Sequence, residues 1–283
     1  MSIAVIGASG KLGTAAVGAL LDRGVAPGNI VAAGRNADRL APHAARGTRT
    51  AQIDLDDTAS VAAALEGVRQ LLFVSVNGNP RRVAQQSDAI AAAKAAGVEL
   101  IVYTSFLHPD ANPAHADHAA TEVNLRESGV PFVVMRNASY FDFCLRRIPT
   151  FRQQGRIIGA AGVGLMGAVS RVDLADAAAR LLLEPGHAGA TYDLASDHPF
   201  TMAEFAAELS HQTGEQIPYV DVSYEDYVAA LVAGGMDEGP AKGLANVDRE
   251  IAAGRMASDS GDLGRLVGRP LVTLADAIAG ALG

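Results

Sequence analysis

Short apolar runs punctuate the first half of the chain, each followed by a more polar or alanine-rich stretch. The first, IAVI at residues 3–6, stops at Gly7; residues 12–21 then carry apolar side chains at helical spacing and close on Arg23-Gly24. Further strand candidates fall at residues 29–35 (NIVAAGR), 49–54 (RTAQID), 69–76 (RQLLFVSV), 99–105 (ELIVYTS) and 131–137 (PFVVMRN). Helical stretches lie at 58–65, at 82–96 before Gly97, and at 114–127 before Ser128-Gly129. Runs that are apolar throughout belong to strands covered on both faces. This alternation predicts an α/β fold, a Rossmann-type doubly wound parallel sheet with right-handed crossovers.

After Asn137 the rhythm breaks. Residues 155–170 (GRIIGAAGVGLMGAVS) are glycine-rich and read as loops and short strands. Asp173 reads as an N-cap or first-turn acid of a helix, ATYDLA at 190–195 as one more strand for the main sheet, and Thr201 with Glu204 as a capping box. IPYVDV, from Ile217, reads as a last strand. The expected organisation is a dinucleotide-binding domain over 1–150, rejoined by part of 168–196. A smaller C-terminal substrate-side α/β domain then occupies most of 151–283.

Composition narrows the function. The chain has 283 residues, 49% hydrophobic and 19% charged, enough for a sizeable core. With 23 Lys+Arg against 31 Asp+Glu the net charge is −8, so the basic footprint of a nucleic-acid binder is missing. A single cysteine, Cys144 in YFDFCLRR, rules out an internal disulfide and reads as a small hydrophobe. No apolar run reaches the roughly 18–20 residues of a membrane span and no leader-like segment precedes the first strand, so a cytoplasmic chain is expected.

The glycines at 7, 10 and 13 follow the first strand and open the first helix. In a strand–turn–helix unit they allow a sharp turn, a close approach to pyrophosphate, and tight helix–strand packing, while the helix N-terminus offers free N–H groups. GKLG at 10–13 is not the GK[ST] of a Walker loop. At the end of the second strand, where an NAD site carries an acid, the chain has Arg35, with Arg39 one helical turn on. A guanidinium matches a 2′-phosphate, so NADP(H) is preferred; a solvated surface charge is an equal reading for Arg39. Asp54, ending the third strand, is placed to accept from the adenine amino group or to cap the next helix, a task Asp56, Asp57 and Thr58 can also perform.

Ligands of doubly wound sheets lie beyond the carboxyl ends of the strands. Ser75, Val76 and Asn77 should run beside the nicotinamide ribose, and Tyr103 to Phe106 beside the nicotinamide.

The stretches GASGKLG, GRNADR, AAKAAGV with YTSFLH, HAATE, LRESGV with MRNASYF, and LVGRPLVTLADAI resemble, in order and spacing, the NmrA-like atypical short-chain dehydrogenase/reductases, in particular NADPH-dependent quinone oxidoreductases of type 2. The resemblance covers nearly the whole chain. It implies that Gly7, Ser9, Gly10, Lys11, Leu12 and Gly13 surround the pyrophosphate, that Arg35 holds the 2′-phosphate, and that Ser75, Val76 and Tyr103 line the nicotinamide half. It further implies a quinone pocket bordered by Asn137 and Tyr140, with Phe106 and Phe141 as aromatic candidates.

The Tyr-x-x-x-Lys of many dehydrogenases is missing. In its place stand His118 and Glu122, one helical turn apart, where the carboxylate could orient the imidazole and raise its pKa, making His118 a proton donor; a surface pair is the alternative reading. A quinone suits the missing tyrosine, because its reduction yields an aromatic, weakly basic oxyanion that water can protonate. His108, His115, Asp110 and Asp117 form no tight ligand pattern, so no metal is expected. The leading expectation is therefore an NADPH-dependent quinone reductase acting on a small electrophile, with a homodimer allowed. The alternatives are an NADP(H)-binding redox sensor and, last, an isomerase or epimerase.

Overall fold

The computed structural model describes residues 2–76 and 79–283. Packing divides the chain into two units. Unit 1 comprises Met1–Asn137, Arg171–Leu194 and Arg265–Gly268; unit 2 comprises Ala138–Ser170, Ala195–Gly264 and Arg269–Gly283.

Unit 1 opens with β1 (Ile3–Ile6), α1 (Lys11–Asp22), β2 (Ile30–Gly34), α2 (Ala37–Ala45), β3 (Arg49–Gln52), α3 (Thr58–Ala64), β4 (Gln70–Phe73), α4 (Arg82–Ala95), β5 (Leu100–Phe106), α5 (Ala116–Ser128) and β6 (Phe132–Asn137). The chain then supplies unit 2 with α6 (Asp142–Leu145), α7 (Ile148–Gln154) and β7 (Ile157–Gly159), and returns to unit 1 with α8 (Arg171–Leu183) and β8 (Thr191–Leu194). α9 (Met202–Thr213), β9 (Tyr219–Asp221), α10 (Tyr224–Ala233), α11 (Glu238–Ala252), α12 (Asp262–Val267) and α13 (Leu274–Leu282) follow.

Seven strands form one parallel sheet in the order β3-β2-β1-β4-β5-β6-β8. The strand order reverses between β1 and β4, which opens a crevice at their carboxyl ends. The innermost strands are apolar because helices cover both faces: β1 and β2 are buried throughout. β3, with the sequence RTAQ, is the exposed edge. α8 packs on α1, and an Arg23–Asp176 ion pair ties the two helices. β8 pairs with β6 as the expected seventh strand, with Met135 opposite Tyr192.

Two expectations need correction. The first passage through unit 1 ends at Asn137, not near 150, because the residues after β6 already pack in the core of unit 2, where Phe141 stacks on Phe200. Between β2 and β3, where no separate element was assigned, the chain forms α2. Its Asn36 side chain accepts from the Arg39 N–H and so caps the helix, and Pro42 lies inside it.

Unit 2 contains the two-stranded parallel sheet β7-β9 and an aromatic core in which Phe151 and Phe200 both pack on Phe205. Thr201 and Glu204 form the expected capping box at the start of α9. Asp173 sits, buried, in the first turn of α8.

Candidate functional site

The first loop is shaped by its backbone. Gly7 has φ +91°, a left-handed conformation that favours glycine. A Cβ on Gly13 would lie 2.2 Å from the Gly7 carbonyl oxygen, so only glycine lets α1 approach the loop this closely. The Gly7 and Ala8 N–H groups both donate to the Ala33 carbonyl at 2.9 Å. The Ala8 carbonyl in turn accepts from Thr14 Oγ1 at 2.9 Å and lies 3.0 Å from Nε2 of the buried His43. His43 and Thr14 therefore brace the loop from outside it. His43 was not visible as a site residue, because its partner is 35 positions away.

Gly10 caps α1 without any side-chain hydrogen bond to the helix, so the Leu12 and Gly13 N–H groups are left for a ligand. Lys11 is exposed there and Leu12 is buried, so Leu12 and Gly13 can offer a ligand only their backbone.

This loop walls a cavity of about 300 Å³ that is also lined by Ser9, Arg35, Asp54, Ser75 and Val76. Arg35 is exposed on the rim, and no described residue pairs with its guanidinium. Arg39 is exposed and absent from the lining. The capping of α3 falls to Asp57, which accepts from the Ala59 and Ser60 N–H groups, leaving Asp54 on the cavity wall. Sequence reasoning missed Asn79 and Gln85, which also line the cavity; Asn79 Nδ2 donates to Gln85 Oε1 at 3.0 Å. Asn77, expected here, lies outside the described residues. The groups that remain fit a dinucleotide: open N–H groups and a free cation for phosphates, a carboxylate for adenine, and apolar walls.

A second polar cluster joins β5, α4 and α5, and it overturns the expected His–Glu pair. His118 is buried, with Arg82 Nη2 2.5 Å from its Nε2 and Tyr103 Oη 3.1 Å from its Nδ1. A guanidinium can only donate, so Nε2 is the acceptor and Nδ1–H donates to Tyr103; the tautomer is assigned from this network. Burial, then the Arg82 charge, then His115, push the His118 pKa down to about 3. His118 is thus neutral at physiological pH, and an imidazolium acid is not what the fold builds.

Glu122 faces other partners. Its carboxylate, 1% exposed, accepts from Ser105 Oγ at 2.7 Å, from Arg136 Nε at 3.0 Å and Nη2 at 2.7 Å, and from Arg126 Nη2 at 3.0 Å. These bonds hold the Arg136 guanidinium above its ordinary pKa. Glu122 therefore neither orients His118 nor forms a surface pair with it. Arg82, the residue that does engage His118, is 36 positions distant and carried no sequence signal.

Tyr103 needs a matching correction. Its side chain is fully buried, packs edge-on to Phe73, and has a pKa raised by burial to about 12. A phenol enclosed in this way cannot line the nicotinamide or pass its proton outward.

The expected substrate residues are divided between the units. In unit 1, Phe106 is half-buried and stacks on His115 with ring centres 3.8 Å apart. Asn137 ends β6 with both amide atoms buried and without a hydrogen-bond partner. In unit 2, Tyr140 is half-buried, whereas Phe141 is a core residue stacked on Phe200, which corrects its placement in a pocket. Cys144 is buried and its thiol is pushed up to about 12, as a small hydrophobe would be. Among the described residues no group of three or more His, Cys, Asp and Glu could hold a metal, and no helix is long and apolar enough to cross a membrane.

Known proteins share this architecture. Residues 7–185 match the family model described as NAD(P)H-binding. Quinone oxidoreductase 2 of Escherichia coli (strain K12) is 39% identical over 279 residues, covering 98% of this chain and 97% of that one. The solved structure of an E. coli NADPH-dependent quinone oxidoreductase complexed with NADPH superposes with a TM-score of 0.94 at 38% identity, covering 99% of this chain and 100% of the other. A Citrobacter triphenylmethane reductase superposes with a TM-score of 0.93 at 33% identity, covering 100% and 99%. With a braced glycine loop, an open helix N-terminus and this match in sequence and structure, the chain belongs to the NAD(P)H-binding family of Rossmann-type reductases.

Proposed function

We propose that the chain is an NADPH-dependent oxidoreductase that reduces quinones or related electrophiles. The observation that carries this reading is the enclosure of His118, the expected proton donor, together with Tyr103. Tyr103 and His118 are sealed inside unit 1 and bond to each other, so the acceptor must be reducible without a strong acid beside it. Quinones meet that condition, because the reduced oxyanion is weakly basic and takes its proton from water. The full-length similarity to E. coli quinone oxidoreductase 2 supports the same substrate class.

NADPH supplies the hydride. The N–H groups at the start of α1 hold the pyrophosphate, and the Arg35 guanidinium binds the 2′-phosphate. Ser75 and Val76 border the nicotinamide ribose. Asn137, at the end of β6, holds a buried amide whose nitrogen and oxygen lack partners, a polar group set behind the acceptor side of unit 1. Phe106 borders the ring of the acceptor. Such an enzyme would work on a freely diffusing substrate in the cytoplasm.

The test is to mix the purified protein with NADPH and a panel of simple quinones while following the absorbance of reduced nicotinamide. Quinone-dependent oxidation is the expected result. Tight NADPH binding with no oxidation by any quinone would overturn the reading in favour of a redox sensor.

A further inference from the structure

A second cavity, of about 390 Å³, is walled entirely by unit 2 and shares no residue with the cofactor cavity. Its walls come from α7, β7, α10 and α11 and are mixed in character: Phe151, Ile158, Leu231 and Leu244 stand beside Thr150, Gln154 and Tyr227. One cation, Arg147, stands among them.

The partners of Arg147 are few. Its Nη2 donates to Tyr227 Oη at 3.0 Å, and its Cζ lies 4.7 Å from the centre of the Phe151 ring. Among the described residues no carboxylate forms an ion pair with it, and its other N–H groups have no protein acceptor. The neighbouring arginines differ: Arg152 is paired with Glu215, and Arg146 donates to the Asp142 carbonyl. The Asp248 charge reaches Arg147, but that carboxylate is committed to the Ala160 N–H at 2.8 Å.

A half-buried guanidinium laid on an aromatic ring, with open donors at the edge of a cavity that has both apolar and polar walls, has the chemistry of a carboxylate clamp beside an apolar slot. The volume falls in the range of small-molecule sites, roughly 300–1,000 Å³. We infer that this cavity binds a small aromatic carboxylate, its ring against Ile158 and Leu231 and its carboxylate on Arg147. This site does not depend on the quinone reading, because none of its residues lines the cofactor cavity.

The experiment is a calorimetric titration of the full-length, NADPH-saturated protein with 2-naphthoate and with the neutral 2-naphthamide. One equivalent of naphthoate should bind, and the amide should bind at least about tenfold more weakly, the loss of one charge-assisted contact. Arg147→Gln should weaken naphthoate by a similar factor, and Arg147→Lys should recover part of the loss. Ala230→Phe, which fills the cavity without touching the charge, should remove binding of both probes. All three variants should keep wild-type affinity for NADPH, which reports on folding. The inference fails if naphthoate does not bind saturably, if it binds no better than the amide, or if a folded Arg147→Gln protein binds it as wild type does. Should a variant not fold, the acid-against-amide comparison on the wild type decides.

Discussion

The glycine loop and the β5–α5 cluster are both polar regions of unit 1, and they are built in opposite ways. At the loop, hydrogen-bond capacity is left open: α1 starts without a side-chain cap, and the Arg35 guanidinium has no described partner. In the cluster most of the capacity is consumed internally, His118 between Arg82 and Tyr103, Glu122 among Ser105, Arg126 and Arg136, with Arg82 Nε left over. Open bonds mark where a ligand is needed to complete the structure, and spent bonds mark where the structure has completed itself. Residue type does not separate the two cases, since a His–Glu spacing reads as catalytic until its partners are known.

The strongest challenge to this contrast is Gly13→Ala. The added methyl would meet the Gly7 oxygen at 2.2 Å, so the loop must be rebuilt. NADPH binding, followed by fluorescence titration, should fall by more than about 100-fold, equivalent to roughly 3 kcal/mol; an unchanged affinity would show that the loop is not the phosphate cradle.

On the other side, Glu122→Gln leaves the Arg136 guanidinium with only the exposed carboxylate of Asp110, at 3.7 Å. Removing one member of a buried pair costs about 3–5 kcal/mol, which thermal unfolding would register as a large fall in Tm. Quinone turnover per folded molecule should be unchanged, whereas a selective loss of kcat would restore Glu122 to the chemistry.

Arg35→Ala should raise KM for NADPH about tenfold or more, with KM for NADH little changed. Equal losses with both cofactors would remove the 2′-phosphate from Arg35.

The smallest effect is expected at His118. Its folded pKa lies near 3, below the unfolded value of about 6.5, so below pH 6.5 the unfolded chain binds a proton that the native protein refuses. This group therefore costs stability as the pH falls from 6.5 toward 3 and contributes no pH dependence above that window. His118→Gln should lessen the acid sensitivity of Tm relative to wild type while leaving the pH profile of kcat flat between 6 and 8. A lost kinetic ionisation in the variant would contradict the sealed, neutral imidazole.

The sheet and the cofactor loop were legible in the sequence because both rest on local patterns: apolar runs of strand length, glycines at fixed offsets, and Arg35 at the end of β2. The capping box at Thr201 was legible for the same reason. What was hidden depends on distant partners. Spacing placed His118 and Glu122 on one helix face, but α5 packs so that the first meets Arg82 from α4 and the second meets Arg136 from β6. Tyr103 stood at the right height in β5 for the nicotinamide, yet its side chain turns into the core, and strand alternation alone could not say which face the cofactor uses. The Arg147 cavity was equally invisible, as its walls are gathered from four elements spread over residues 147–244.

The interrupted course of the chain bears on how it can be made. At the moment residue 137 is synthesised, β6 still lacks its neighbour β8, and α1 lacks the α8 that covers it. The first 137 residues would present a bare, apolar strand edge, the kind of surface that recruits other chains. Unit 1 therefore cannot close before residue 194 has left the ribosome, and no single cut yields the dinucleotide domain as an independent fragment.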